Sequence, residues 1–194
     1  MRPPAPDAPP APQVLVVLGA TGDLTSRLLL PGLAGALAAH DLPRVTLVGS
    51  SHSEHSTDEW RSIVREGLAG AALDEDEVED LVARAAWHTA DATDADDLRA
   101  LFETAREAAG PDAAPVLYFA LGPGITREAV GALAGLEDLP DGLRLALEKP
   151  FGEDEASAHG PPTLPEATFR RKSYICLSTF AGRSWGGWAL AGAG

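Results

Sequence analysis

The apolar positions of this chain follow two periods that alternate from residue 14 onward. Residues 14–18 (Val-Leu-Val-Val-Leu) form an unbroken run rich in β-branched side chains, as expected of a strand buried on both faces. Leu30, Leu33, Ala34 and Leu37 then recur at i, i+3, i+4 and i+7, which predicts a helix. Pro31 lies inside it and should strain its first half. Residues 44–49 (Arg-Val-Thr-Leu-Val-Gly) read as a second strand. Ser56 and Glu59 have capping-box spacing, and the helix they open carries Trp60, Ile63, Val64, Gly67 and Leu68 on one face. Val78, Leu81, Val82 and Ala85 mark the next helix, with the acidic run 74–80 as its N-terminal charge and solvated face. A short strand and loop follow at 87–92. Asp94 or Asp96 starts a helix that aligns Leu98, Leu101, Phe102 and Ala105. A uniformly apolar strand at 115–121 is broken by Gly122-Pro123-Gly124. A helix bearing Ala129, Ala132, Leu133 and Leu136 and a strand at 143–147 complete the alternation.

Strands alternating with amphipathic helices predict an α/β fold, a Rossmann-like, doubly wound and mainly parallel sheet joined by right-handed crossovers. We place this single domain at residues 13–158. Residues 1–12 are rich in proline and read as a flexible leader. Composition changes near His159. Gly160-Pro161-Pro162 would stop any helix, and Arg170, Arg171, Lys172 and Arg183 face only one acid, Glu166, in a chain that is otherwise strongly acidic. Residues 159–194 are therefore expected to be an irregular tail, foreign in character to the domain before it. The 143–147 strand is expected to stand at an open sheet edge.

Charge and cysteine content narrow the function. The formal net charge of −14 argues against a general binder of nucleic acid or anionic membrane, because phosphates would be repelled. The single cysteine, Cys176, excludes an internal disulfide framework and a cysteine-rich zinc site, and suits a reducing, cytoplasmic setting. No apolar run reaches transmembrane length. His52 and His55 lack the spacing and partners of a metal site and read as solvated loop histidines, so no metal is expected.

In a sheet of this kind, ligands bind beyond the carboxyl ends of the strands. The segment after the first strand, Gly19-Ala20-Thr21-Gly22-Asp23-Leu24, has the composition of a phosphate-binding loop running into a helix. Gly19 supplies the angles of a tight turn, and Gly22 leaves room for a pyrophosphate to approach. The first-turn N–H groups and the helix dipole then face the anion, with Thr21 and Thr25 as hydroxyl donors. The spacing is Gly-x-x-Gly, shorter than the full dinucleotide fingerprint, and a plain strand-to-helix turn stays open as an alternative. His52, Asp91, Gly122-Pro123 and Glu148-Lys149 fall at the same sheet edge. The second strand ends in Ser50-Ser51-His52-Ser53 with no acid to take a ribose hydroxyl. This favours NADP over NAD, with His52 beside the 2′-phosphate.

Three stretches together resemble glucose-6-phosphate dehydrogenase: Gly19-Ala-Thr-Gly-Asp-Leu-Thr-Ser-Arg27 with the four residues after it, Tyr118-Phe-Ala-Leu-Gly-Pro123, and Glu148-Lys-Pro-Phe-Gly152. The resemblance covers about residues 14–158 and implies an NADP-binding domain of an enzyme that oxidises glucose 6-phosphate. It implies that Gly19, Ala20, Thr21, Gly22, Asp23 and Leu24 hold the pyrophosphate. By the same likeness Asp91 and Ala92 lie along the coenzyme, and Lys149 reaches both the coenzyme and the sugar phosphate. Pro150 matches a proline whose preceding peptide bond matters in the family. His52 stands where the family has an arginine that reads the 2′-phosphate. Gly122-Pro123 replaces a Pro-Pro pair and should loosen a loop near the nicotinamide. The family's Arg-Ile-Asp-His-Tyr-Leu-Gly-Lys segment, which carries the catalytic histidine, has no match here, nor does its C-terminal α+β domain. No catalytic residue is therefore assigned, and the chain is expected to bind coenzyme without oxidising sugar by itself. A small reductase of another kind is disfavoured, because neither Tyr118 nor Tyr174 is followed by a lysine four residues on.

Overall fold

The structure, a computed structural model, describes residues 13–39, 44–148 and 174–177. Six strands form one sheet: β1 (Gln13–Leu18), β2 (Val45–Ser51), β3 (Ala86–Thr89), β4 (Ala114–Phe119), β5 (Arg144–Glu148) and β6 (Tyr174–Leu177). Their order across the sheet is β3-β2-β1-β4-β5-β6, and every neighbouring pair is parallel. The chain winds outward from β1 to β3, crosses back, and winds outward again from β4. The direction therefore reverses between β1 and β4, which is the position that opens a crevice at the carboxyl edge. This is the expected Rossmann-like α/β architecture.

Helices cover both faces. α1 (Leu30–Ala38), α2 (Thr57–Leu68) and α3 (Glu75–Arg84) pack on one; α4 (Ala95–Ala109) and α5 (Pro123–Ala134) pack on the other. β1 shows why its sequence is apolar throughout. Val14, Val16 and Leu18 enter the core beneath α4 and α5, whereas Leu15 and Val17 face the core beneath α1 and α2. The helical periods land where the pattern placed them. Trp60, Val64 and Leu68 are buried on α2, as are Leu98, Leu101, Phe102 and Ala105 on α4. Ser56 closes a full capping box with Glu59, Asp74 closes another with Glu77, and Asp94 caps α4 through the amides of Asp96 and Asp97.

The first helix departs from the expected single α-helix. Thr25–Leu29 forms a π-helical turn, with the Leu30 amide donating to the Thr25 carbonyl, and α1 begins at Leu30. Pro31 accounts for it. A proline has no N–H to give, and its ring would collide with the carbonyl four residues back. The wider turn moves that carbonyl away and leaves Pro31 in the first turn of α1, where proline is tolerated.

Two further expectations are corrected. The strand at 143–147, observed as β5, is not an open edge: β6 pairs along it from Leu145–Tyr174 to Glu148–Leu177. The same four residues are regular structure inside the 159–194 stretch expected to be irregular. The 1–12 leader and the remainder of that stretch lie outside the described residues.

On the other side of β1, β2 contains a glycine that the helical and strand periods did not explain. A Cβ on Gly49 would stand 2.6 Å and 2.7 Å from ring atoms of Trp60 and 2.9 Å from Trp87. The strand has glycine there because two indoles occupy the space above it. His55 packs edge-on against the Trp87 ring at 5.2 Å and pairs with Glu59, so it is half-buried rather than a solvated loop histidine.

Candidate coenzyme site

Leu18, the last residue of β1, is hydrogen-bonded across to the chain leaving β4, with the Ala120 amide donating to its carbonyl at 2.9 Å. The 19–24 loop is built on that crossing. Gly19 has φ +80°, and a Cβ there would lie 2.3 Å from the Ala120 carbonyl oxygen. Both the conformation and the space exclude any other residue. The amides of Gly19 and Ala20 both donate to the Ser50 carbonyl of β2, at 2.9 Å and 3.0 Å. One carbonyl thus fixes the loop to the second strand. The Gly22 amide turns back to the Gly19 carbonyl at 3.0 Å, and the Thr25 hydroxyl donates to the same oxygen at 3.3 Å.

This accounting shows which donors remain. The amides of Thr21, Asp23 and Leu24 have no backbone acceptor among the described residues. They lie at the start of the first helix, where unpaired N–H groups and the helix dipole favour an anion. Among the described residues, Gly22 has only the Gly19 oxygen near its missing side chain, at 3.2 Å, and no other described residue fills the space beside the loop. Three of the expected contributors are otherwise engaged. Ala20 is fully buried and its amide is spent. The Leu24 side chain packs on the core, leaving its amide as its contribution. Thr25 is fully buried and locks the loop from inside, so of the two expected hydroxyl donors only Thr21, which is exposed, can reach a ligand. Asp23 brings a negative charge to the loop, but Arg27, one helical turn on, pairs with it at 3.6 Å.

The neighbouring strand ends complete the edge. β2 and β3 are in register at Ser51–Thr89, and the Ala90 amide donates to the Ser51 carbonyl at 3.0 Å. His52 and Asp91 follow at the ends of these two neighbouring strands. His52 is exposed, its Nε2 3.4 Å from the Ser53 hydroxyl. Asp91 Oδ1 accepts from the Thr93 amide and hydroxyl at 2.8 Å and 2.7 Å. Those bonds, the amide first, hold its carboxyl below its ordinary value, and the nearby His52 acts in the same direction. The Asp91 amide is itself held by Asp97 at 2.8 Å, and Ala92 follows half-buried against the core. At the end of β4, Gly122 and Pro123 do not loosen the chain. Gly122 caps α5, Pro123 is its first residue, and Thr126 binds back through its amide to the Gly122 carbonyl at 2.9 Å. Lys149 and Pro150 lie outside the described residues.

Sequence reasoning missed Ser50, whose carbonyl anchors the loop. A backbone acceptor leaves no trace in residue type, and only the pairing of β1 with β2 brings it there. The Ser50 side chain is also fully buried, with no partner for its hydroxyl among the described residues.

Comparison with known proteins agrees with this geometry. The family model for the NAD-binding domain of glucose-6-phosphate dehydrogenase matches residues 16–169, past the boundary expected at residue 158. Glucose-6-phosphate 1-dehydrogenase of Rhizobium meliloti is 30% identical over 183 residues, which cover 90% of this chain and 36% of that protein. The Zymomonas mobilis enzyme is 34% identical over 183 residues, covering 87% of this chain and 35% of that protein. Among solved structures, the glucose-6-phosphate 1-dehydrogenase of Mycobacterium avium superposes with a TM-score of 0.65 at 25% identity, over 85% of this chain and 36% of that one. A glucose-6-phosphate dehydrogenase in complex with its substrate glucose 6-phosphate superposes at 0.67 with 23% identity, over 84% of this chain and 36% of that one. The chain thus spans about a third of the length of the relatives it matches. By its sequence and its fold, this chain belongs to the glucose-6-phosphate dehydrogenase family, and the part of the family it matches is the domain that binds the nicotinamide dinucleotide.

Proposed function

We propose that this chain supplies the coenzyme half of an NADP-linked oxidation of glucose 6-phosphate to 6-phosphogluconolactone in the cytoplasm, with NAD as the alternative coenzyme. The observation that carries this reading is the set of free amides of Thr21, Asp23 and Leu24 beside Gly22, at the point where strand order reverses. The coenzyme, when bound, supplies the hydride acceptor. The chain's own part is to hold it. The three amides and the Thr21 hydroxyl take the pyrophosphate, and Arg27 offsets the charge of Asp23 beside it. His52 and Asp91 flank the adenosine ribose, and Ala92 lies along the coenzyme. By family likeness, Lys149 reaches both the coenzyme and the sugar phosphate.

The sequence has no match to the family's histidine segment, so these 194 residues hold coenzyme without turnover. Residues 13–158 are the binding domain in this reading. Purified chain, titrated with NADP+ and NAD+ while thermal unfolding is followed, should be stabilised. Steady NADPH formation from glucose 6-phosphate should be absent. Stabilisation by neither coenzyme would overturn the binding reading. Steady turnover would overturn the assignment of no catalytic residue.

A further inference from the structure

The turn that leaves β3 is held in place by the helix that follows it. Residues 90–97 are Ala-Asp-Ala-Thr-Asp-Ala-Asp-Asp, and their carboxylates have separate tasks. Asp94 caps α4 through the amides of Asp96 and Asp97. Asp96 pairs with Arg99. Asp91 accepts from the Thr93 amide and hydroxyl. Asp97 departs from the usual local pattern. As the third residue of α4 it stands where a capping box would return a side chain to the N-cap amide. That amide, of Asp94, already donates to the Asp91 carbonyl at 3.0 Å. The Asp97 carboxylate instead takes the Asp91 amide at 2.8 Å, six residues back. Asp91 is thus held three times: its amide by Asp97, its carbonyl by the Asp94 amide and its carboxylate by Thr93. Ala90, just before it, is bonded to the Ser51 carbonyl of β2.

We infer that Asp97 is a positioning residue for coenzyme binding: its carboxylate fixes the 90–92 turn at the carboxyl edge before the coenzyme arrives. The inference rests on the coenzyme-binding reading above and adds to it a residue that acts through Asp91 and Ala92. A hydrogen bond from an amide to an ionised carboxylate is stronger than one between neutral groups. Without it the Asp91 backbone must be ordered when the coenzyme binds, and the cost of that ordering is subtracted from affinity. Charge alone predicts the opposite result. Asp97 brings a negative charge toward a site for an anion, so a purely electrostatic role would make its removal tighten binding. Positioning makes its removal weaken binding. The sign of the change separates the two.

The test is calorimetric titration of the full chain with NADP+ and with NAD+, together with hydrogen exchange of the Asp91 amide followed by NMR. Asp97→Ala should weaken both coenzymes about tenfold, the cost of ordering about one residue of backbone. The ratio of the two affinities should stay unchanged, because the turn is fixed in the same way for both. The Asp91 amide should exchange about tenfold faster or more once its acceptor is gone. Asp97→Asn removes the same charge but keeps a side-chain oxygen as acceptor, and should return both readings to within about threefold of the parent. Asp96→Ala removes a neighbouring charge and leaves the bond to Asp91 in place, so it should weaken neither coenzyme. Thermal unfolding without ligand checks the fold of each variant. If Asp97→Ala does not fold, Asp97→Glu, which keeps the charge and displaces the acceptor by one methylene, should give the same losses. A folded Asp97→Ala that binds both coenzymes as tightly as the parent, or more tightly, would overturn the inference and leave the binding reading intact. So would an unchanged exchange rate at Asp91, or an Asp97→Asn as weak as Asp97→Ala. Parent chain that binds neither coenzyme would overturn the binding reading, and this inference with it.

Discussion

Gly19 and Gly22 stand three residues apart in one loop, and the geometry assigns them opposite consequences. In Gly19→Ala the new Cβ meets the Ala120 carbonyl oxygen at 2.3 Å and its carbon at 3.0 Å, both backbone atoms that cannot swing aside. The residue must also stay at φ +80°, which costs an L side chain about 1–2 kcal/mol. Relieving the clash by moving the β4 end adds about 1–3 kcal/mol, in the range of overpacked cores. Restricting the unfolded chain returns about 0.4–1 kcal/mol. The net is a loss of about 3 kcal/mol, or a Tm lower by about 6–12 °C for a chain of this size. In Gly22→Ala the φ is ordinary and the new methyl meets only the Gly19 oxygen at 3.2 Å, so stability should change by less than about 1 kcal/mol. That methyl instead enters the space beside the free amides. Parent chain at a hundredfold excess of NADP+ over Kd gains about 2.7 kcal/mol, and a tenfold weaker variant at the same concentration gains about 1.4 kcal/mol. Thermal unfolding by circular dichroism, with and without coenzyme, reads both quantities. Gly19→Ala unfolding at the parental temperature, or Gly22→Ala keeping the full ligand shift, would refute the assignment of fold to one glycine and ligand to the other.

Three further outcomes follow from contacts away from the loop. Gly49→Ala drives a methyl into the Trp60 and Trp87 rings and should destabilise by about 1–3 kcal/mol, with a changed tryptophan emission in the folded state; an unchanged Tm and spectrum would refute it. Ser56→Ala removes one side of the α2 capping box and should cost about 1 kcal/mol, read as a lower denaturant midpoint at unchanged slope. Glu59, Glu79, Asp80 and Asp91 all have carboxyls held below their ordinary values. Glu59 is held by the Ser56 amide, Glu79 by Arg65, Asp80 by Arg84 and Asp91 by the Thr93 amide. Because the folded values lie below the unfolded ones, the stability they add is present above pH 4.5 and is lost as pH falls through the folded values. Unfolding scans from pH 6 downward should show Tm falling in that acid range, and a Tm that rises there would reverse the sign of the reasoning.

What the sequence disclosed and what it hid divide along a physical line. Side-chain patterns disclosed the elements. A strand buried on both faces must be apolar throughout, and 14–18 is. A helix with one buried face must repeat near 3.6, and Trp60, Val64 and Leu68 do. The capping box at Ser56 is written in residue types because side chains make it. What stayed hidden depends on where backbone goes in three dimensions. Ser50 anchors the loop through a carbonyl that every residue possesses. Thr25 was read as a ligand donor because its hydroxyl is visible in sequence while its inward orientation is not. Gly49 is forced by Trp60 on α2 and Trp87 on β3, which come together over β2 only in the fold. The β5 edge read as open because nothing in the composition after residue 158 announces a strand, yet Tyr174–Leu177 pairs there.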